Sequence, residues 1–178
     1  MNTVTAQLIV VMGVSGCGKT TLATALGETL QLSMTDGDDL HLPESVRKMR
    51  AGTPLTDDDR WPWLNRVVAC LLLPPDGDRL GRVVACSALK RVYRDHLRRH
   101  LPELHFVFID GQAALLRERM AKRKGHFMQL QLLESQLNTL ERPGKDEDDV
   151  LTIQADQQLT DQVNQVVRAW APRTEAIR

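Results

Sequence analysis

Eight consecutive residues, Gly13, Val14, Ser15, Gly16, Cys17, Gly18, Lys19 and Thr20, match the spacing GxxxxGK[ST], and the chemistry this spacing supports is the grip of a phosphate chain. Glycines let the main chain fold around an anion with its amides turned inward, and the N-terminus of a following helix adds favourable partial charge. Lys19 is then expected to reach the outer phosphates, and Thr20 to offer its hydroxyl to magnesium, which prefers oxygen ligands and keeps several waters. Thr21 joins the nucleotide contacts by position. The bland alternative is a glycine-rich turn with an incidental lysine, against which stands the complete octet between a predicted strand and a predicted helix. The cradle does not by itself choose a reaction, because kinases, hydrolases and switches share it.

Asp36 and Asp38 lie two apart, so an extended backbone would point both toward one edge of such a site. One could hold hydrated magnesium while the other orients a substrate hydroxyl and accepts its proton; the alternative is an Asp-Gly turn with solvated acids. Asp110, at the end of the apolar run Phe106 to Ile109, competes as the metal ligand. Since Gly111 and a helix follow directly, a helix cap also explains Asp110, and Asp36 is preferred.

Arg119 and Arg123 are four apart on a predicted helix that leads into Lys124, Gly125, His126 and Phe127, a pattern suited to a closing lid. One arginine would stabilise negative charge on a moving phosphoryl group and another would stack on adenine; a solvated helix face is the alternative. Arg60, beside Trp61 and Trp63, suits a fork for a substrate carboxylate, against an intrahelical ion pair plus core tryptophans. His41, Arg47 and Lys90 are candidates by the same reasoning, with His126 of the lid segment counted on the substrate side. The basic run Arg91 to Arg99 reads as a solvated face.

The elements that must position these groups alternate. Leu8 to Met12 reads as a strand buried on both faces, followed by a helix from Lys19 to about Leu30 and a short strand near Leu32 to Thr35. A helical region spans Ser45 to Arg50, and another begins near Asp59, with Pro62 in its first turn and Val67, Val68, Leu71 and Leu72 on its buried face. Val83 to Cys86, Phe106 to Ile109 and Val150 to Ile153 read as further strands. Helices are expected from Lys90 to Arg99, from Gln112 to Lys124, along Leu130, Leu133, Leu137 and Leu140, and from Leu159 to Trp170. This order predicts an α/β fold in one domain, with no internal repeat.

Length and charge agree. A chain of 178 residues, 42% hydrophobic, can bury one good core, and 23 basic residues against 23 acidic ones leave no broad basic field for nucleic acid. The apolar run at the start lacks the basic flank and cleavage site of a signal and is too short for a membrane span, so a cytoplasmic location is expected. Three cysteines without CxxC spacing argue for buried thiols rather than disulfides or zinc.

In order along the chain, MGVSGCGKT, DGDDLH, GTPLTDDDRWPWL, CSALKRVYRDHLR, RKGHFMQLQLLESQL and LERPG resemble the gluconate kinases, from about Val11 to Val150. The resemblance implies a fold like the nucleoside monophosphate and shikimate kinases: a parallel sheet of about five strands flanked by helices, with a substrate-binding helical region over about 40–75 and a lid over about 122–140. It implies ATP and magnesium as cofactors, gluconate as acceptor and a homodimer. On this chain it makes Asp38 the base for the substrate hydroxyl, Asp36 the acid on the magnesium side and Arg60 the carboxylate anchor. It makes Arg119 the adenine-stacking residue, Arg123 the lid arginine, and Ser87 with Lys90 the edge of the sugar-acid pocket. Cys17 departs from the more usual serine; that position contributes mainly its backbone, so phosphate binding is expected to survive, and a thiol near the nucleotide could make activity sensitive to oxidation. The rivals are a shikimate or nucleoside monophosphate kinase, and a nucleotide-dependent switch in which Asp110 holds magnesium.

Overall fold

Isoleucine and valine crowd the strand β1, Gln7–Met12, because it lies between two layers of helices and has no face for water. Ile9 and Val11 enter one layer, with Leu22, Leu26, Leu116 and Val166; Val10 and Met12 enter the other, with Trp63, Leu64, Tyr93 and Leu97. The computed structural model describes residues 7–122 and 126–170, with the side chains of 126–129 outside the description.

Along the chain β1 is followed by helix α1 (Lys19–Thr29), β2 (Leu32–Asp36), α2 (Pro43–Arg50), α3 (Asp57–Leu72), β3 (Gly81–Ala85), α4 (Arg91–His100), β4 (Leu104–Asp110), α5 (Ala113–Ala121), α6 (His126–Thr139), β5 (Val150–Gln154) and α7 (Leu159–Trp170). The five strands form one sheet in the order β2-β3-β1-β4-β5, every neighbouring pair parallel. Val10 stands between Val84 of β3 and Phe106 of β4. The chain after β1 crosses to the far edge at β2, while β4 and β5 build the opposite side, so the order reverses beside β1. The crevice at the carboxyl ends of the strands there is where open α/β sheets bind ligands.

Several local expectations change. Helix α3 begins at Asp57 rather than near Asp59, because Thr56 caps it: its hydroxyl accepts from the Asp59 amide at 3.3 Å, and the Asp59 carboxylate accepts from the Thr56 amide at 2.9 Å. Pro62 therefore lies inside the helix, past its first turn; it is exposed, on a side where water can reach the carbonyl it leaves unpaired. Leu72, expected on the buried face, is 62% exposed, whereas Val67, Val68 and Leu71 are buried. The basic run of α4 is not simply a solvated face. Arg94 is buried and bonded through Nε and Nη2 to both carboxylate oxygens of Glu147, and Arg98 bridges Glu147 and Asp149. Asp110 is not the cap of α5 either: Gln112 holds that position without a side-chain bond, and the Asp110 carboxylate faces Arg142 at 3.3 Å.

Candidate active site

The turn between β1 and α1 takes the shape its glycines permit. Gly13, Gly16 and Gly18 have φ of 139°, 83° and 105°, and Gly18 is the residue from which α1 starts. A β-carbon on Gly13 would stand 2.8 Å from the Ile109 carbonyl oxygen and 2.9 Å from Cys17 Sγ, so the loop is pressed against the end of β4. Lys19 Nζ folds back to the Val14 carbonyl at 3.2 Å, across the loop's mouth. Cys17 lies beneath the loop, 2% exposed, and burial pushes its thiol up while the nearby Lys19 charge pulls it down less. A buried thiol is a poorer nucleophile than an exposed one, which speaks against oxidation at this position. Cys70 and Cys86 are buried and unpaired as well.

Asp36 and Asp38 are brought together, but not by an extended backbone. Asp36 ends β2, and residues Gly37–Leu40 curl into a single 3-10 turn that Asp36 caps, its Oδ1 accepting from the Asp38 amide at 3.0 Å. The other oxygen, Oδ2, accepts from the Thr20 hydroxyl at 2.8 Å. An oxygen pair from the cradle helix and the β2 edge suits a small, hard cation that otherwise keeps water and phosphate oxygens. Among the described residues no group of three or more His, Cys, Asp or Glu could hold a metal ion.

Asp38 lines a cleft with Ser15 and Lys19 of the cradle and with Arg60, His41 and Ser87. Leu132, Ser135 and Gln136 of α6 line it as well, as do Met49, Pro54 and Leu55. Arg60 is buried and its guanidinium lies 5.8 Å over the Tyr93 ring, donating through Nη1 to the Tyr93 hydroxyl at 3.5 Å. Trp63 donates its indole N–H to the Gly37 carbonyl at 2.7 Å and stacks on His41, ring centres 4.4 Å apart. His41 Nδ1 is buried without a hydrogen-bond partner; burial, and then the Arg60 charge, push the imidazole down to about 4, so it is neutral at pH 7.

Two expected acceptor-side residues have partners within the protein. The Lys90 ammonium bonds both oxygens of Asp57, at 2.8 and 2.9 Å, and Tyr93 donates its hydroxyl to the same carboxylate. Bonding to Lys90 and Tyr93 holds the Asp57 carboxyl below its usual range. Arg47 is exposed on α2, 3.9 Å from Glu44. Arg123 and the side chain of His126 lie outside the described residues.

On the other flank of the cradle, Arg119 donates to the Ala155 carbonyl at 2.8 Å and approaches the Gly16 and Cys17 carbonyls at 3.5 Å. With Gly18, Thr21 and Gln157 it borders an open hollow suited to a flat base. Gln136, Ser135 and Leu132 went unnoticed in the sequence; their signal is the spacing of Leu132 and Gln136, one turn apart and beside the buried stripe of Leu133 and Leu137.

No family model matches the chain. It is 40% identical over 166 residues to the thermosensitive gluconokinase of Escherichia coli, covering 92% of this chain and 88% of that one. It is 49% identical over 141 residues to the gluconokinase of Gluconobacter oxydans, covering 79% of each. Among solved structures, a gluconokinase from Sinorhizobium meliloti superposes with a TM-score of 0.81 at 46% identity, over 92% of this chain and 90% of that one. Identity at this level across most of both chains establishes that the chain belongs to the gluconokinase family.

Proposed function

We propose that the chain transfers the terminal phosphoryl group of ATP to the hydroxyl at the far end of D-gluconate, giving 6-phospho-D-gluconate. The observation that carries this is the shared cleft: Asp38 and Lys19 stand in it with the buried Arg60, so an acid for an alcohol and a cation for a carboxylate serve one acceptor. Asp38 accepts the proton of the attacking hydroxyl as its oxygen bonds to the terminal phosphorus and the bond to ADP breaks. Lys19 and the loop amides hold the phosphates, Arg60 fixes the carboxylate, and the neutral His41 and Ser87 meet the hydroxyls between. Arg119 faces the adenine, and Arg123, with His126 on the acceptor side, completes the closed lid over about 122–140.

Magnesium, when bound, neutralises phosphate charge, and Thr20 with Asp36 would hold it. Asp36→Asn is expected to raise the magnesium concentration needed for half-maximal rate by roughly tenfold or more, as loss of one charged ligand would. Asp110→Asn, whose carboxylate is paired with Arg142 at 3.3 Å, leaves that titration unchanged; the reverse pattern would move the metal to Asp110.

A panel of sugar acids tests the acceptor. ADP release that requires gluconate supports the reading, and acceptor-independent release sinks it. In the same assay Arg60→Ala raises the KM for gluconate by about 10- to 100-fold, the loss of a charge-assisted pair, with a smaller change in kcat. A cytoplasmic site of action suits three unpaired buried thiols, and no helix of the described residues is long and apolar enough to cross a membrane. A homodimer is part of this reading, and the exposed Leu72, Leu73 and Leu80 are apolar side chains that an interface could cover.

A further inference from the structure

Gln136, on α6, reaches across 121 residues of sequence to the cradle: its Oε1 accepts a hydrogen bond from the Ser15 main-chain N–H at 2.6 Å. Ser15 and Gln136 both line the cleft that holds Lys19 and Asp38, so this bond lies where the phosphate cradle meets the acceptor. An amide hydrogen makes one good bond. A phosphate oxygen is the stronger acceptor, since a charged acceptor about doubles the strength of such a bond. Phosphate and carboxamide therefore compete for Ser15, and phosphate wins.

The displaced side chain cannot go far. Leu133 is fully buried and Leu137 packs on the same core, which anchors the part of α6 that carries Gln136, beyond the Arg123 and His126 end of the lid, while the exposed Arg117 and Glu134 pair at 2.6 Å links α6 to α5. The carboxamide thus stays at the cleft wall with its acceptor and both donors available, a combination that suits a chain of hydroxyls. We propose that Gln136 is a positioning residue that couples the two substrates: terminal phosphate takes the Ser15 amide, and the released carboxamide then binds the hydroxyls of the polyol acceptor. This rests on the acceptor assignment above.

Calorimetric titration of gluconate, with and without the magnesium complex of a non-hydrolysable imido analogue of ATP, reads the coupling. In the unaltered protein the analogue is expected to tighten gluconate binding by about 5- to 10-fold, the worth of one neutral hydrogen bond. In Gln136→Ala that factor falls to about one, and the KM for gluconate at saturating ATP rises by a similar 5- to 10-fold while kcat changes less. Gln136→Leu keeps the side-chain bulk and should behave alike. The competition itself is read without any acceptor: the analogue binds Gln136→Ala as tightly as the unaltered protein or more so, and binds Gln136→Glu at least tenfold more weakly, because a carboxylate holds the amide and repels phosphate. Weaker analogue binding by both Gln136→Ala and Gln136→Leu would make Gln136 a mere prop of the loop, and a coupling factor retained in either would end the proposal. Turnover of gluconate by the unaltered protein judges the acceptor assignment separately.

Discussion

Asp38→Asn is expected to lower kcat by about 100- to 10,000-fold, the usual contribution of a positioned proton acceptor, while ATP-analogue affinity and melting temperature stay close to those of the unaltered protein. Asparagine keeps the shape and the main-chain N–H that Asp36 accepts at 3.0 Å, so the 3-10 turn and the Asp36 contact with Thr20 survive. What it removes is the capacity to take a proton beside Lys19 in the acceptor cleft. Single-turnover measurement of 6-phosphogluconate, alongside analogue titration, separates chemistry from binding. Near-normal turnover in a folded, nucleotide-binding Asp38→Asn would remove this carboxylate from the reaction.

The second large effect concerns stability. Arg94 and Glu147 are paired at 2.7 Å with side chains only 1% and 2% exposed, and Arg94 also donates to the carbonyls of Ala88, Leu89 and Glu141. Removing one partner strands the other charge in the interior, so Arg94→Met should cost about 3–5 kcal/mol in urea unfolding. Arg117→Met, which breaks the exposed pair with Glu134, should cost at most about 1 kcal/mol. Burial alone would push the Glu147 carboxyl up, but hydrogen bonds from Arg94 and Arg98 outweigh it and hold it down to about 2 from the ordinary 4.5. Its folded value lies below its unfolded one, so its contribution is complete above about 4.5 and is lost as pH falls toward 2. The stability gap between the unaltered protein and Glu147→Gln should accordingly be widest near pH 7 and narrow across that acid range. A constant gap would show that the charge is not what the cluster needs.

The cradle was legible because its demands fall on the main chain: only glycine accepts the positive φ of Gly13, Gly16 and Gly18, so the loop's shape is spelled out locally. The layering was legible for a related reason, since strands buried on both faces read as unbroken apolar runs. Arg94 was not legible. A charge in a basic helix normally faces water, and its partner Glu147 is 53 residues away, beyond the reach of any local pattern. The partner of Lys90 was hidden for the same reason, Asp57 lying 33 residues upstream in α3. Asp36 and Asp38 meet by a geometry the sequence did not suggest, because two-residue spacing suggests extended chain and says nothing of a carboxylate that caps its own turn.

Gly37 limits how this enzyme can be altered. A β-carbon there would run into the Ala85 carbonyl oxygen, and the Gly37 carbonyl is itself held by the Trp63 indole at 2.7 Å. The stretch between the two carboxylates is thus wedged from one side and tethered from the other, so neither acid can be moved without disturbing the sheet edge and α3 together. Attempts to retarget the enzyme to a shorter or longer sugar acid should leave this corner alone and resculpt the apolar lining at Met49, Pro54 and Leu55.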